Sequence, residues 1–200
     1  MNYINNRHFV FSIALFIVGV LIHPSYAQDY SWAIALGSTG QDQGTSIITD
    51  ASGNVFVAGY FKGTVDFDPS SSTASKASAG DYDMFMAKYN SSGEYQWVIT
   101  QGSTGQDYIY GLSLDGSGNL YAMGYFEGTV DFDPSSNTSN LVAFQSMFIA
   151  KYNSSGEYQW AYGVGEDTYG SSKRVNPEWS YVDASGNFYI TGRFGYDTDF

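Results

Sequence analysis

The chain contains no cysteine, and its two histidines, His8 and His23, both lie near the N-terminus. No disulfide can hold such a fold together, and a Cys-His pair or a thiolate-ligated metal is excluded. Long apolar runs are also scarce. Phe9–Ile22 is a run of 14 residues, short for a spanning helix, which needs about 20. Arg7 precedes it, and Ser25 and Ala27 supply small residues before Gln28. Residues 1–27 therefore read as a secretory signal peptide, with an uncleaved anchor as the alternative. Without a cysteine after this run, a lipid-modified anchor is excluded. Once the leader is removed no imidazole remains, so a Ser-His-Asp triad and His-ligated zinc or haem are excluded as well.

Basic residues are few. Beyond the leader there are 7 against 20 acidic residues, a formal charge of −13. Nucleic acid is not an expected partner, because phosphate contacts need clustered Lys and Arg. An acidic exported surface suits solubility, divalent cations or uncharged partners such as glycans. Packing must replace disulfides, and 18% aromatic residues can supply it.

What the chain does have is repetition. KYNSSGEYQW at Lys88–Trp97 returns unchanged at Lys151–Trp160, and FKGTVDFDPSS from Phe61 returns as FEGTVDFDPSS from Phe126. DASGN at Asp50 reappears as DGSGN at Asp115 and DASGN at Asp183. A period of about 65 residues marks supersecondary units that bury apolar surface against their neighbours.

Each unit reads as four strands, which in the first unit are Thr45–Asp50, Asn54–Phe61, Met84–Asn90 and Glu94–Thr100. The turns D-A-S-G-N and N-S-S-G-E have Gly in the fourth place, as in a type I turn closing on a left-handed Gly with a bulge. Adjacent strands are thus expected to be antiparallel. The second strands VFVAGYF, LYAMGYF and FYITGRF barely alternate, so both their faces are expected to be buried. Gly59, Gly124 and Gly192 hold matching places where close backbone approach favours a residue without Cβ. Radially packed four-stranded sheets meet these demands, giving an all-β class and an incomplete β-propeller of antiparallel blades.

YSWAIALG at Tyr30 matches YQWVITQG at Tyr95 and YQWAYGVG at Tyr158. Residues 28–43 thus read as a lone fourth strand that would close a ring. Blade 1 is then 44–102, blade 2 is 103–165, and 166–200 begins blade 3. With about two and a half blades where closed propellers use 4–8, the chain is expected to be a fragment of a longer protein.

The run D-x-S-G-N-[VLF]-[FY], G-[YR]-F, [DS]-M-F-[MI]-A-K-Y-N and a closing Trp resembles the SBBP family of bacterial β-propeller repeats from Trp32 to Phe200. The resemblance implies an exported repeat protein of undefined activity, often joined to further modules and a C-terminal sorting domain. The third unit departs after Phe194, where GYDTDF replaces EGTVDF and Tyr196 stands in the place of Gly128.

Up-and-down connectivity places the short SG turns at one end and the long connections at the other, where function is expected. Asp66 and Asp68 recur there as Asp131 and Asp133, and Asp199 aligns with Asp66. Such paired carboxylates, on one side of an extended V-D-F-D-P, are candidate Ca2+ ligands. Alternatively they cap turns before Pro69 and Pro134 while Phe67 and Phe132 anchor the loop. Asp81 and Asp83 have no counterparts in Phe144 and Ser146. Pairs that repeat from blade to blade do not suit glycoside hydrolysis, which needs two carboxyl groups in unlike environments. No cofactor and no catalytic residue is expected.

One stretch breaks the repeat. Ser171–Trp179 carries Lys173, Arg174 and Trp179, candidates for contacting a glycan or peptide; the alternative is drift in a tolerant surface loop. The expected function is an exported, non-catalytic scaffold or binding module for extracellular polysaccharide or surface protein, secreted or at the cell surface. It needs no membrane span after cleavage. The alternative is a propeller domain of a larger carbohydrate-active or other hydrolytic enzyme.

Overall fold

The computed structural model describes residues 15–20, 30–164 and 175–194. Its strands are β1 (Leu15–Val20), β2 (Tyr30–Leu36), β3 (Gln43–Thr49), β4 (Val55–Phe61), β5 (Thr64–Asp66), β6 (Ser75–Ala77) and β7 (Asp83–Tyr89). They continue as β8 (Tyr95–Gln101), β9 (Tyr108–Leu114), β10 (Leu120–Asp131), β11 (Asn140–Tyr152), β12 (Tyr158–Val164), β13 (Val175–Val182) and β14 (Phe188–Phe194). Two four-stranded sheets, β3-β4-β7-β8 and β9-β10-β11-β12, are antiparallel and connected up and down. β13 and β14 pair as the next sheet, β1 pairs with β2, and β5 pairs with β6. This is the expected all-β, incomplete propeller-like architecture, with no closed barrel.

The hairpin turns form as their residues dictate. Gly53 has φ 78° and donates its N–H to the Asp50 carbonyl at 3.0 Å, while Asp50 Oδ1 accepts from Ser52 and Asn54 N–H at 2.9 Å each. Gly93, Gly118, Gly156 and Gly186 repeat the left-handed φ in the equivalent turns. DASGN is thus a turn, with its Asp oxygens directed at its own backbone.

β4, β7 and the first seven residues of β10 are buried at nearly every position. Their two faces belong to different cores. Phe56, Ala58, Met84 and Met86 of the first blade meet Ile109, Leu120 and Ala122 of the second in one cluster. Val55, Val57, Phe85 and Tyr89 point the other way, toward Trp32 and Ile34 of β2. β2 therefore lies on the first blade much as β8 lies on the second. A Cβ on Gly93 would sit 2.8 Å from the Trp32 ring, and one on Gly156 3.3 Å from the Trp97 ring.

Leu15–Val20, inside the apolar run read as a leader, pairs antiparallel with β2, with Leu15 opposite Leu36. Removal of residues 1–27 would leave this β2 edge with unpaired N–H and C=O groups. No helix among the described residues is long and apolar enough to cross a membrane.

Every first strand carries a bulge at one place. The register slips at Thr45 (between Gly44 and Ser46), at Tyr110 (between Ile109 and Gly111) and at Glu178 (between Pro177 and Trp179). The bulge drives a carbonyl toward the neighbouring strand. A Cβ on Gly59 would lie 1.9 Å from the Gln43 oxygen, and one on Gly124 1.9 Å from the Tyr108 oxygen. That is the physical reason for glycine inside these two strands.

Candidate functional site

The GTVDFDP connections are hairpin tips rather than loose loops. In the first blade β5 and β6 form the tip; in the second, β10 and β11 run continuously into it. Val65 and Phe67 are buried and Asp66 is exposed, the alternation an extended V-D-F requires. Asp66 Oδ1 accepts from the Asp68 and Ala74 N–H groups at 3.1 and 2.8 Å, and Asp68 Oδ1 accepts from Ser70 N–H at 2.9 Å. Asp131 and Asp133 repeat this, with Asp131 Oδ1 accepting from Asp133 and Ser139 N–H at 3.1 and 2.8 Å, and Asp133 Oδ1 from Ser135 N–H at 2.9 Å. Each Asp thus spends one oxygen on capping. Among the described residues no group of three or more His, Cys, Asp or Glu side chains could hold a metal, so calcium at a tip would need backbone or hydroxyl oxygens. Asp199 lies outside the described residues.

Lys173 and Arg174 also lie outside the described residues. Trp179 is 66% exposed, but it sits within β13 opposite Thr191, not at a loop tip. The stretch from Val175 is absorbed into the strand, with Pro177 tolerated because β13 has a partner on only one side among the described residues.

The long-connection end holds a feature that sequence reading did not single out: five tyrosines converge at the seam of the two blades. Tyr60 is next to last in β4, Tyr82 precedes β7, Tyr108 and Tyr110 come from β9, and Tyr125 from β10. Tyr108 is the hub, with ring centroids 4.7 Å from Tyr60, 5.8 Å from Tyr82, 6.0 Å from Tyr125 and 6.2 Å from Tyr110. The backbone holds them together, since Asp107 N–H donates to the Tyr82 carbonyl at 2.8 Å.

Polar side chains lock three of the rings. Tyr60 and Tyr82 donate to Gln43 Oε1 at 2.6 Å and Gln41 Oε1 at 2.8 Å. Tyr125 donates to Glu127 Oε1 at 2.8 Å, which also accepts from Gln145 Nε2 at 2.9 Å. Asp81 pairs with Lys62 and accepts from Gln106 Nε2 at 2.8 Å, while Lys62 Nζ lies 5.4 Å from the Tyr82 ring centroid. The hydroxyls of Tyr108 and Tyr110 make no hydrogen bond among the described residues. Burial, then neighbouring rings, pushes Tyr108 up to about 12; burial also raises Tyr60, Tyr110 and Tyr125, so all four stay neutral and protonated in ordinary solution.

Beneath this platform lie two buried carboxyls. Asp107 has no exposed surface and accepts from Ser103 N–H at 2.7 Å and Glu127 N–H at 3.0 Å. Burial nonetheless pushes its carboxyl up to about 6, against those hydrogen bonds and with a smaller contribution from Asp83. Burial likewise raises Asp83, whose Oδ1 has no partner among the described residues. Neither carboxyl is accessible to a substrate.

Tyr108 and Tyr110 stand where the first blade has Gln43 and Thr45, a departure that only the tertiary contacts make meaningful.

No family model matches the chain. It is 27% identical over 194 residues to a WD repeat-containing protein of Acanthamoeba polyphaga mimivirus, covering 84% of this chain and 14% of that protein. It is 28% identical over 108 residues to the regulatory protein FlaEY of Caulobacter vibrioides, covering 52% of this chain and 11% of that one. The chain is similar to β-propeller-like repeat proteins. It spans about one-seventh or less of the length of these relatives. The likeness to a WD repeat-containing protein agrees with the stacked four-stranded sheets.

Proposed function

We propose that the chain is part of an exported, non-catalytic β-propeller module that scaffolds or binds partners outside the cell, polysaccharide or surface protein. The observation that carries this reading is the locked tyrosine platform at the long-connection end of a rigid pair of blades. Partly exposed aromatic rings with fixed polar rims are recognition surfaces, and the buried Asp83 and Asp107 beneath them are unsuited to touching a substrate. The tip carboxylates, each occupied by its own turn, also favour a structural role over catalysis. The leader-like first 27 residues and the SBBP resemblance support export. Lys173, Arg174 and the exposed Trp179 are proposed as a second contact area at the third unit.

The test uses the full-length protein. N-terminal sequencing of the exported form is expected to begin at Gln28. Probing glycan arrays and isolated surface proteins is expected to show retention without turnover. Hydrolysis of a retained glycan would instead favour the reading as a domain of a carbohydrate-active enzyme.

A further inference from the structure

We infer that the tyrosine platform at the seam of the first two blades is a subsite for a neutral saccharide. This rests on the binding-module reading above and specifies its ligand. Tyr110 is the extra residue of the β9 bulge, and a bulge re-aims its side chain out of the strand's alternation. The ring is 38% exposed and lies nearly parallel to Tyr108, with 18° between their planes. Thr45, at the same bulge in the first blade, instead turns inward and donates to the Ile109 carbonyl at 2.5 Å. The same backbone device thus holds two blades together at Thr45 and displays an aromatic ring at Tyr110.

The chemistry of the rim selects the ligand. An aromatic face is electron-rich and attracts the weakly positive C–H edges of a pyranose ring. The Tyr108 and Tyr110 hydroxyls supply unengaged donors and acceptors for sugar hydroxyls. Gln106 and Gln145 add planar amide groups at the rim, donating to Asp81 and Glu127. Glu127 accepts only from uncharged groups among the described residues, Tyr125, Gln145 and the Gln106 N–H at 3.2 Å, and makes the rim hostile to anionic ligands, while Asp81 is paired with Lys62 and Gln106. A neutral polyol binds such a rim by hydrogen bonds without needing an ion pair. Tyr60, Tyr82 and Tyr125 are held by side-chain hydrogen bonds, so these three rings have little rotamer freedom left to lose on binding.

Affinity electrophoresis of the full-length protein tests this, in gels containing laminarin, xylan or galactomannan, with alginate as an anionic control. The expected result is retardation by at least one neutral polysaccharide and not by alginate. Tyr110→Ala is expected to weaken that retardation about tenfold, the order seen when a contacting aromatic is truncated. Tyr110→Phe, which keeps the ring, should retain most of it, and matched melting temperatures would show that both variants fold. Retardation by alginate alone, or by no polysaccharide, overturns the inference, as does wild-type retardation that Tyr110→Ala leaves unchanged. In the last case, or if a surface protein is bound instead, the binding-module reading survives while the saccharide subsite fails.

Discussion

The Tyr152 hydroxyl lies 3.0 Å from the Phe132 carbonyl oxygen, with both side chains wholly buried. It is also 3.0 Å from Gln101 Oε1, while Gln101 Nε2 donates to the same Phe132 carbonyl at 2.6 Å. A residue of the third strand and one from the preceding blade thus hold the hairpin tip by its backbone. Tyr89 does the same for Phe67 at 2.8 Å in the first blade. Tyr152→Phe is expected to destabilise by about 1 kcal/mol, because Gln101 still serves the carbonyl. Tyr89→Phe should cost at least as much, since no second side chain donates to the Phe67 carbonyl among the described residues. Denaturant titration of both variants checks the order.

Glycines in strands and in turns should respond differently to alanine. Gly59→Ala places a Cβ 1.9 Å from a backbone carbonyl, an overlap that backbone movement alone can relieve, so about 3 kcal/mol or more should be lost. Gly118→Ala meets only a Ser154 Cβ at 3.8 Å and suffers only from φ 78°, a loss of about 1–2 kcal/mol. Equal losses in melting experiments would contradict the bulge explanation.

Stability is expected to fall with rising pH across a mildly acidic window. Asp107 is raised to about 6 in the fold, above an unfolded value near 4. A raised carboxyl favours the folded state fully below the unfolded pKa and loses that contribution as pH climbs through the folded one. The loss between about pH 4 and 6 is on the order of 2–3 kcal/mol, and Asp83 adds in the same direction. Asp107→Asn should lower stability at neutral pH, since an amide cannot accept both N–H groups with two oxygens. It should also flatten the slope, as read from melting temperature at pH 4, 5, 6 and 7.

The repeat offers its own replacement for Asp83. Ser146 holds the matching place in the second blade, opposite Phe126 as Asp83 is opposite Phe61, and donates Oγ–H to the Val164 carbonyl at 3.0 Å. Asp83→Ser removes a buried, incompletely bonded carboxylate and gives up one bond from Ala79 N–H at 2.9 Å. A gain of about 1 kcal/mol at pH 8, vanishing near pH 4, is expected. Destabilisation at both pH values would show that the Ala79 contact dominates.

At the tips, Asp131→Asn retains one capping oxygen and Asp131→Ala retains none. Alanine is therefore expected to cost about 1 kcal/mol more. The same melts run with excess Ca2+ and with chelator separate capping from metal binding. A calcium role raises the wild-type melting temperature and loses that increment in Asp131→Asn; capping alone leaves it unmoved.

Much of this was legible beforehand because it is local. Turn grammar at Asp50–Asn54 and apolar saturation of VFVAGYF depend on neighbours in sequence, so the strands, their pairing and the two-faced burial follow directly. The alternation of Val65, Asp66 and Phe67 is equally local. The place of Trp179 within β13 was not legible, because an insertion in a repeat does not reveal whether it lengthens a connection or a strand. The tyrosine platform was invisible for a different reason. Its five rings come from four strands or strand ends in two blades, and no periodicity links Tyr60 to Tyr108.

The sequence by itself determined the repeat, the antiparallel blades, the left-handed glycine turns and the exclusion of cysteine chemistry. Each depends on spacing or composition alone. Only the tertiary structure decided that the tip carboxylates cap their own turns and that a bulge crowds Gly59 and Gly124. It also decided that Tyr110 is turned outward beside Tyr108. These features depend on which carbonyl, ring or N–H approaches from another strand, and packing sets that distance.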